Sequence, residues 1–81
     1  MPDINKRVLR QCREQMALSI PKVTKKVPQI RNIEVGKQKP TFKQLDTLAD
    51  LYQVPRWVFV SDQLPVKYQY GKQFTENFLA V

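Results

Sequence analysis

A single cysteine in a chain of 81 residues limits this protein to a fold without cross-links. Cys12 has no second cysteine to pair with, so no disulfide can form within the chain. A chain this short buries only about 60% of its unfolded surface on folding and supports one core. We therefore expect a small domain held by apolar packing alone, in a reducing compartment.

The composition also excludes most catalytic chemistry. There is no histidine, which rules out a Ser-His-Asp triad, a Cys-His pair and a histidine-ligated zinc site within this chain. The lone cysteine rules out cysteine-only zinc and iron–sulfur sites in one protomer. The two glycines, Gly36 and Gly71, are too few for a phosphate-binding glycine loop. We expect a protein that is not an enzyme and carries no metal or cofactor.

The charge of the chain is concentrated in its first half. Residues 1–43 contain eleven Lys or Arg and three Asp or Glu, a net charge of +8, whereas residues 44–81 have a net charge of −1. Such a concentration attracts polyanions, and double-stranded DNA is the partner we expect; a solubilising surface is the plainer interpretation. A membrane surface is disfavoured because the first predicted helix lacks bulky apolar residues for insertion.

The N-terminal sequence gives no sign of export. It has no apolar stretch typical of a secretory signal, and no apolar run in the chain approaches the roughly 18 residues that span a bilayer. We expect a cytoplasmic protein that does not enter membranes.

Apolar spacing predicts two helices in the first third of the chain. The first covers residues 4–17, with Asp3 as its N-cap, and the second covers residues 20–27, with Ser19 as its N-cap. The first helix has one apolar stripe, which predicts a buried Cys12 and is formed by Ile4, Val8, Leu9, Cys12 and Met16.

Three further helices are predicted between residues 28 and 60. A third covers residues 28–35 and ends at Gly36 in a left-handed conformation. A fourth covers residues 42–53 and begins with a capping box. A fifth covers residues 55–60, where we expect the apolar and aromatic residues to cover the core. The fold class is therefore all-α, with a compact five-helix domain over residues 1–60.

Residues 61–81 form a C-terminal extension with a different pattern. Val66, Tyr68 and Tyr70 alternate with polar residues, which is typical of a strand. Phe74 and Phe78 suit either a second strand, completing a β-hairpin, or a final helical turn. The extension would cover the core or form a dimer interface.

The second and third predicted helices are short, basic and joined with almost no linker, the outline of a helix-turn-helix. A helix fits the major groove of B-DNA, where Arg suits guanine and Gln or Asn suits adenine. Gln29, Arg31 and Asn32 are therefore the predicted base-reading residues. Lys22 and Lys26, on and after the preceding helix, are predicted to meet phosphates.

Residues 8–60 resemble an Xre-type helix-turn-helix domain, of the Cro/cI-repressor-like kind. They are most similar to the domain that precedes ImmA/IrrE-type metallopeptidases in bacterial and phage proteins. The matching pieces are Leu18-Ser19, Ile33-Glu34-Val35-Gly36-Lys37, Pro40-Thr41-Phe42-Lys43-Gln44-Leu45, Leu48-Ala49 and Val54-Pro55.

The resemblance implies a lambda-repressor-like fold of five helices, with DNA read by the third and usually a homodimer. It implies a transcriptional regulator, a repressor or an antitoxin, encoded by a bacterium or phage and associated with the nucleoid. Lys37 and Lys39 would contact the DNA backbone, and Lys43 is a further predicted DNA-binding residue. Glu34 would be structural, bonding nearby amides.

Two departures from the family bear on groove reading and keep an alternative function open beside DNA binding. The family commonly has Gln where this chain has Ile20, and its Gly-hydrophobe-Ser turn is missing because Val27 runs directly into Pro28. The HExxH zinc motif is also absent, so no peptidase activity carries over. The alternative is a protein-interaction module that has lost groove reading. It would bind a toxin or a metallopeptidase through the aromatic residues Trp57, Tyr68, Tyr70 and Phe74.

Overall fold

A computed structural model describes residues 3–69, and every regular element within that range is helical. The predicted all-α class is thus confirmed for this part of the chain. The fifth predicted helix forms, but as a 3₁₀ helix, so the described residues hold four α-helices rather than five. The α-helices are α1 (Lys6–Gln15), α2 (Ile20–Thr24), α3 (Ile30–Glu34) and α4 (Phe42–Tyr52), and the two 3₁₀ helices are Arg56–Val60 and Val66–Tyr68.

The N-cap of α1 is Asn5, so the prediction of Asp3 is wrong. The Asn5 side-chain oxygen accepts hydrogen bonds from the backbone N–H groups of Arg7 and Val8, at 3.0 and 3.3 Å. The Asn5 backbone N–H also donates to the Phe59 carbonyl at 2.6 Å. Asn5 is the N-cap because it both bonds the free N–H groups at the start of α1 and connects α1 to Phe59, far along the chain.

The other helix ends follow their local sequence. The Ser19 hydroxyl accepts from the Lys22 N–H at 3.3 Å, and Thr41 and Gln44 form the predicted capping box at the start of α4. Gly36 has φ +83°, the left-handed conformation predicted for it. Both α2 and α3 are shorter than predicted, five residues each. Pro28 disfavours helical geometry at Val27, so a turn separates the two helices.

The strand predicted from the alternation that begins at Val66 does not form within the described residues. Pro65 has φ −60° and is followed by a 3₁₀ turn, in which the Tyr68 N–H donates to the Pro65 carbonyl at 2.8 Å. The Gln15 side chain donates to the Tyr68 carbonyl at 2.7 Å and ties this turn to α1. Tyr70, Phe74 and Phe78 lie outside the described residues.

One apolar core joins all four α-helices to the first 3₁₀ helix. Tyr52 and Phe59 lie at its centre with fully buried rings, 6.2 Å apart and nearly perpendicular. The core residues of the described chain are Val8, Leu9, Cys12, Val23, Val27, Ile30, Ile33, Leu45, Leu48, Ala49, Tyr52, Val54, Val58, Phe59 and Leu64. Cys12 is buried as predicted, and burial raises the pKa of its thiol to about 11.

Residues 61–69 pack onto the helices rather than trailing from them. Leu64 is buried in the core, and the Asn5 side-chain amide donates to the carbonyls of Ser61 and Asp62 at 3.1 and 2.9 Å. Among residues 3–69, no helix has the length and apolar character needed to cross a membrane.

Candidate nucleic-acid interface

The pair formed by α2 and α3 is built from four buried aliphatic residues. Val23 and Val27 come from α2 and the turn after it, and Ile30 and Ile33 come from α3. The Ile30 N–H donates to the Val27 carbonyl at 3.1 Å, which closes the turn between the helices. Helices of five residues are not stable alone, so this packing and the Ser19 cap of α2 hold them in place.

Arg13 of α1 bonds both the end of α3 and the segment just before α2. Its Nε and Nη2 donate to the two carboxylate oxygens of Glu34 at 2.7 and 3.2 Å, and its Nη1 donates to the Leu18 carbonyl at 2.9 Å. The Arg13 and Glu34 side chains are only 12% and 8% exposed. The hydrogen bond to Glu34 raises the pKa of Arg13 above its ordinary value. We call this contact set, made by Arg13, Glu34 and Leu18, the Arg13 clamp.

The clamp changes the role expected for Glu34. We predicted that its carboxylate bonds nearby amides, whereas it accepts a bidentate pair of hydrogen bonds from the Arg13 guanidinium. A two-point contact of this kind fixes direction as well as distance. The end of α3 is therefore held against α1, and the segment before α2 is held by the same side chain.

The outward surface of α3 carries two of the three predicted base-reading residues. Because Ile30 and Ile33 face the core and successive residues of a helix are about 100° apart, Arg31 and Asn32 lie on either side of the direction that points away from the core. Arg31 and Asn32 are both exposed. Val35, just beyond the end of α3, is 57% exposed. The sequence prediction missed Val35, although an apolar residue outside the buried stripe was the available signal.

Gln29 is placed differently from Arg31 and Asn32. It is half-buried at the start of α3, and its side-chain oxygen accepts a hydrogen bond from the Gln44 amide at 2.9 Å. The oxygen of the same Gln44 amide accepts from the Thr41 backbone N–H at 2.9 Å. Gln44 thus caps α4 and holds Gln29 in place, a second role that the capping motif alone did not reveal.

The predicted phosphate-contacting lysines are all exposed. Lys22 and Lys26 lie on α2 and the turn after it, Lys37 and Lys39 lie in the loop between α3 and α4, and Lys43 lies in the first turn of α4. Lys39 forms an ion pair with Asp3, with 3.2 Å between Nζ and Oδ1. No ion pair involves the other four lysines among residues 3–69. Their charges face solvent, as a polyanion site requires.

A different surface lies near the 3₁₀ helices. Trp57, Val60 and Val66 are 54%, 39% and 66% exposed, and the Trp57 ring contacts the Tyr68 ring edge-on with centroids 5.7 Å apart. Trp57 and Val60 are three residues apart on one 3₁₀ helix, so they share a face. We predicted that the residues of this helix cover the core. That holds for Val58 and Phe59, whereas Trp57 is largely at the surface.

The acidic side chains of α4 do not form a metal site. Asp46 and Asp50 are exposed, and Asp46 pairs with Arg56 at 3.1 Å. Over residues 3–69, no three histidine, cysteine or acidic side chains are grouped so that they could bind a metal ion. Comparison of the chain with protein-family models, with curated proteins and with solved structures finds no match.

Proposed function

We propose that this protein binds double-stranded DNA in a sequence-specific manner and regulates transcription as a repressor or antitoxin, with α3 in the major groove. The observation that carries the proposal is the outward surface of α3, where Arg31, Asn32 and Val35 face solvent while Ile30, Ile33 and Glu34 hold the helix from behind. The α2–α3 pair is then the helix-turn-helix of a lambda-repressor-like domain over residues 1–60.

Each exposed side chain of α3 has a matching chemistry in the major groove. Arg31 can donate two hydrogen bonds to guanine, Asn32 can bond adenine, and the methyl groups of Val35 suit the thymine methyl. The Gln29 oxygen is already bonded to Gln44, so its amide nitrogen is the better placed group for DNA. It would donate to a phosphate oxygen or to a purine N7.

The lysines supply the part of binding that does not depend on sequence. Lys22 and Lys26 lie on one side of α3 along the chain, and Lys37, Lys39 and Lys43 lie on the other. Contacts of this kind set register and orientation on the duplex, while the base contacts set specificity. One short helix reads few base pairs, so we propose that the protein acts as a homodimer with its two copies of α3 about 34 Å apart.

A salt series with a random-sequence duplex tests the electrostatic part of this proposal. If about six phosphates are neutralised, log K should fall against log salt with a slope near −5. Absence of binding at low salt, or a slope near zero, would contradict it. Selection from a pool of random duplexes tests specificity, because a groove-reading protein should enrich one sequence and its symmetric half-site.

The exposed apolar residues Trp57, Val60 and Val66 favour a second candidate, a protein-interaction module. An apolar surface with an aromatic anchor suits a protein partner better than DNA. Under this alternative the partner would be a toxin or a metallopeptidase, and the lysines would only aid solubility. Selection from random duplexes separates the two candidates. The basic surface attracts duplex DNA under either one, but a module without groove reading should enrich no sequence.

A further inference from the structure

The N-terminal end of α1 meets the loop between α3 and α4 at a shallow cleft. Its wall includes the ammonium groups of Lys6 and Lys39, the carboxylate of Asp3, and Gly36. Among residues 3–69, the Lys39–Asp3 ion pair is the one that involves this loop. The cleft therefore combines the charged groups of two segments that are more than 25 residues apart in the sequence.

Lys6 lies directly across Gly36. A Cβ placed on Gly36 would be 2.7 Å from the Lys6 Nζ and 3.1 Å from its Cδ, so the Lys6 side chain lies directly against the Gly36 backbone. The left-handed φ of Gly36, which favours glycine, ends α3 and turns the loop towards α1. The Lys6 ammonium is thereby brought beside the loop that carries Lys37 and Lys39, although it belongs to a different helix.

Asp3 forms an ion pair with Lys39, the second lysine of the cleft. Its Oδ1 lies 3.2 Å from the Lys39 Nζ, and both side chains are mostly exposed, at 78% and 88%. A carboxylate and a phosphate oxygen present the same chemistry to an ammonium group. A contact this exposed is weak, so a DNA phosphate can displace it at small cost.

We propose that this cleft is a subsite for a DNA backbone phosphate, bound by Lys6 and Lys39, and that Asp3 competes with the phosphate for Lys39. The inference rests on the proposed function, because the phosphate belongs to the bound duplex. It adds Lys6 to the binding surface and assigns Asp3 a restraining role. Asp3 lowers the affinity for any duplex while leaving the order of preferred sequences unchanged.

The test is duplex affinity of the full chain carrying Asp3→Asn, with Asp50→Asn as the matched control. Both substitutions remove one exposed negative charge, but only Asp3 pairs with a lysine of the loop. Asp3→Asn should tighten binding to a random duplex by about two- to fivefold, the range expected for an exposed pair. Asp50→Asn should have a smaller effect, from long-range charge alone.

A double variant tests whether Asp3→Asn tightens duplex binding by releasing Lys39. In a Lys39→Ala background, Asp3→Asn should give only the gain of Asp50→Asn, because the cation it releases is gone. Lys6→Ala should weaken duplex binding more than Lys67→Ala, which removes an exposed lysine far along the chain.

The outcomes separate this inference from the function on which it rests. If the wild-type chain binds no duplex, the proposed function fails and the subsite falls with it. If the chain binds duplex but Asp3→Asn matches Asp50→Asn, or keeps its full gain without Lys39, the subsite is wrong and the proposed function stands.

Discussion

Two regions of this small molecule expose opposite chemistry around one shared core. The basic region, residues 20–43, contains seven Lys or Arg and one acidic residue, and that single acid is turned inward to Arg13. The apolar region, residues 56–66, has no net charge and exposes Trp57, Val60 and Val66. The first surface suits a polyanion and the second suits an apolar protein surface.

The two regions also differ in how they are held. The basic region consists of short helices held by four buried aliphatic residues, by the Ser19 cap of α2 and by the largely buried Arg13 clamp, so a charged contact adds to the packing there. The apolar region is fixed mainly by packing of Val58, Phe59 and Leu64 into the core. The surface that we propose for DNA is therefore the one to which a charged pair adds support.

Breaking the clamp should have the largest effect. Glu34→Ala removes the carboxylate from an Arg13 side chain that is only 12% exposed, and loss of this charged hydrogen-bonded partner should cost about 2–4 kcal/mol. Chemical denaturation measures the change. Glu14→Ala is the control, since the Arg10–Glu14 pair is exposed and should contribute less than about 0.5 kcal/mol. Equal losses for the two variants would show that the clamp does not hold the basic region.

High pH should weaken the core that both regions share. The folded state raises the pKa of the Cys12 thiol from 9.0 to about 11, so the unfolded chain releases its proton first. The stability that comes from keeping the buried thiol protonated is fully present below pH 9. It is lost as the pH rises to about 11, which lowers the free energy of unfolding by about 1–3 kcal/mol. Thiol reagents at neutral pH should accordingly react with Cys12 only as fast as the chain opens. Rapid labelling of the native chain would mean that the core is not closed there.

Substitutions of base-reading and of phosphate-contacting residues should change affinity for selected and random duplexes differently. Arg31→Ala and Asn32→Ala should each cost about 1–3 kcal/mol on a selected site, and less on a random duplex. Lys37→Ala should weaken both alike and reduce the salt slope by about one. Equal effects of all three variants on every sequence would remove groove reading by α3 and favour the interaction module.

The smallest effect on DNA should come from the apolar region. Trp57→Ser alters a surface far from α3 in the sequence, so affinity for a short random duplex should stay within about twofold. Self-association measured by sedimentation should fall instead, if this surface pairs two copies. A large loss of duplex affinity with unchanged self-association would show that the two regions are not independent.

The parts of the fold that were predictable depend on neighbouring residues. Ser19, Thr41 with Gln44, and Gly36 act within three or four positions of the helix ends they set, so the sequence alone locates them. The apolar stripes likewise identified α1 and α4, because a stripe follows from spacing along one helix.

The parts that were missed depend on residues far apart in the chain. Arg13 and Glu34 are 21 positions apart, so nothing local indicates their contact. Asn5 caps α1 in place of Asp3 because it also reaches Phe59, Ser61 and Asp62. The exposed Val35 belongs to the candidate site by its position on the surface, which depends on how α3 packs.

Backbone amide chemical shifts during titration with a random-sequence duplex at low salt test the central claim most directly. The largest changes should fall at Arg31, Asn32, Val35 and the loop lysines Lys37 and Lys39, while residues 57–66 stay unchanged. Changes concentrated at residues 57–66, or no change at any residue, would contradict the assignment of the basic region to DNA.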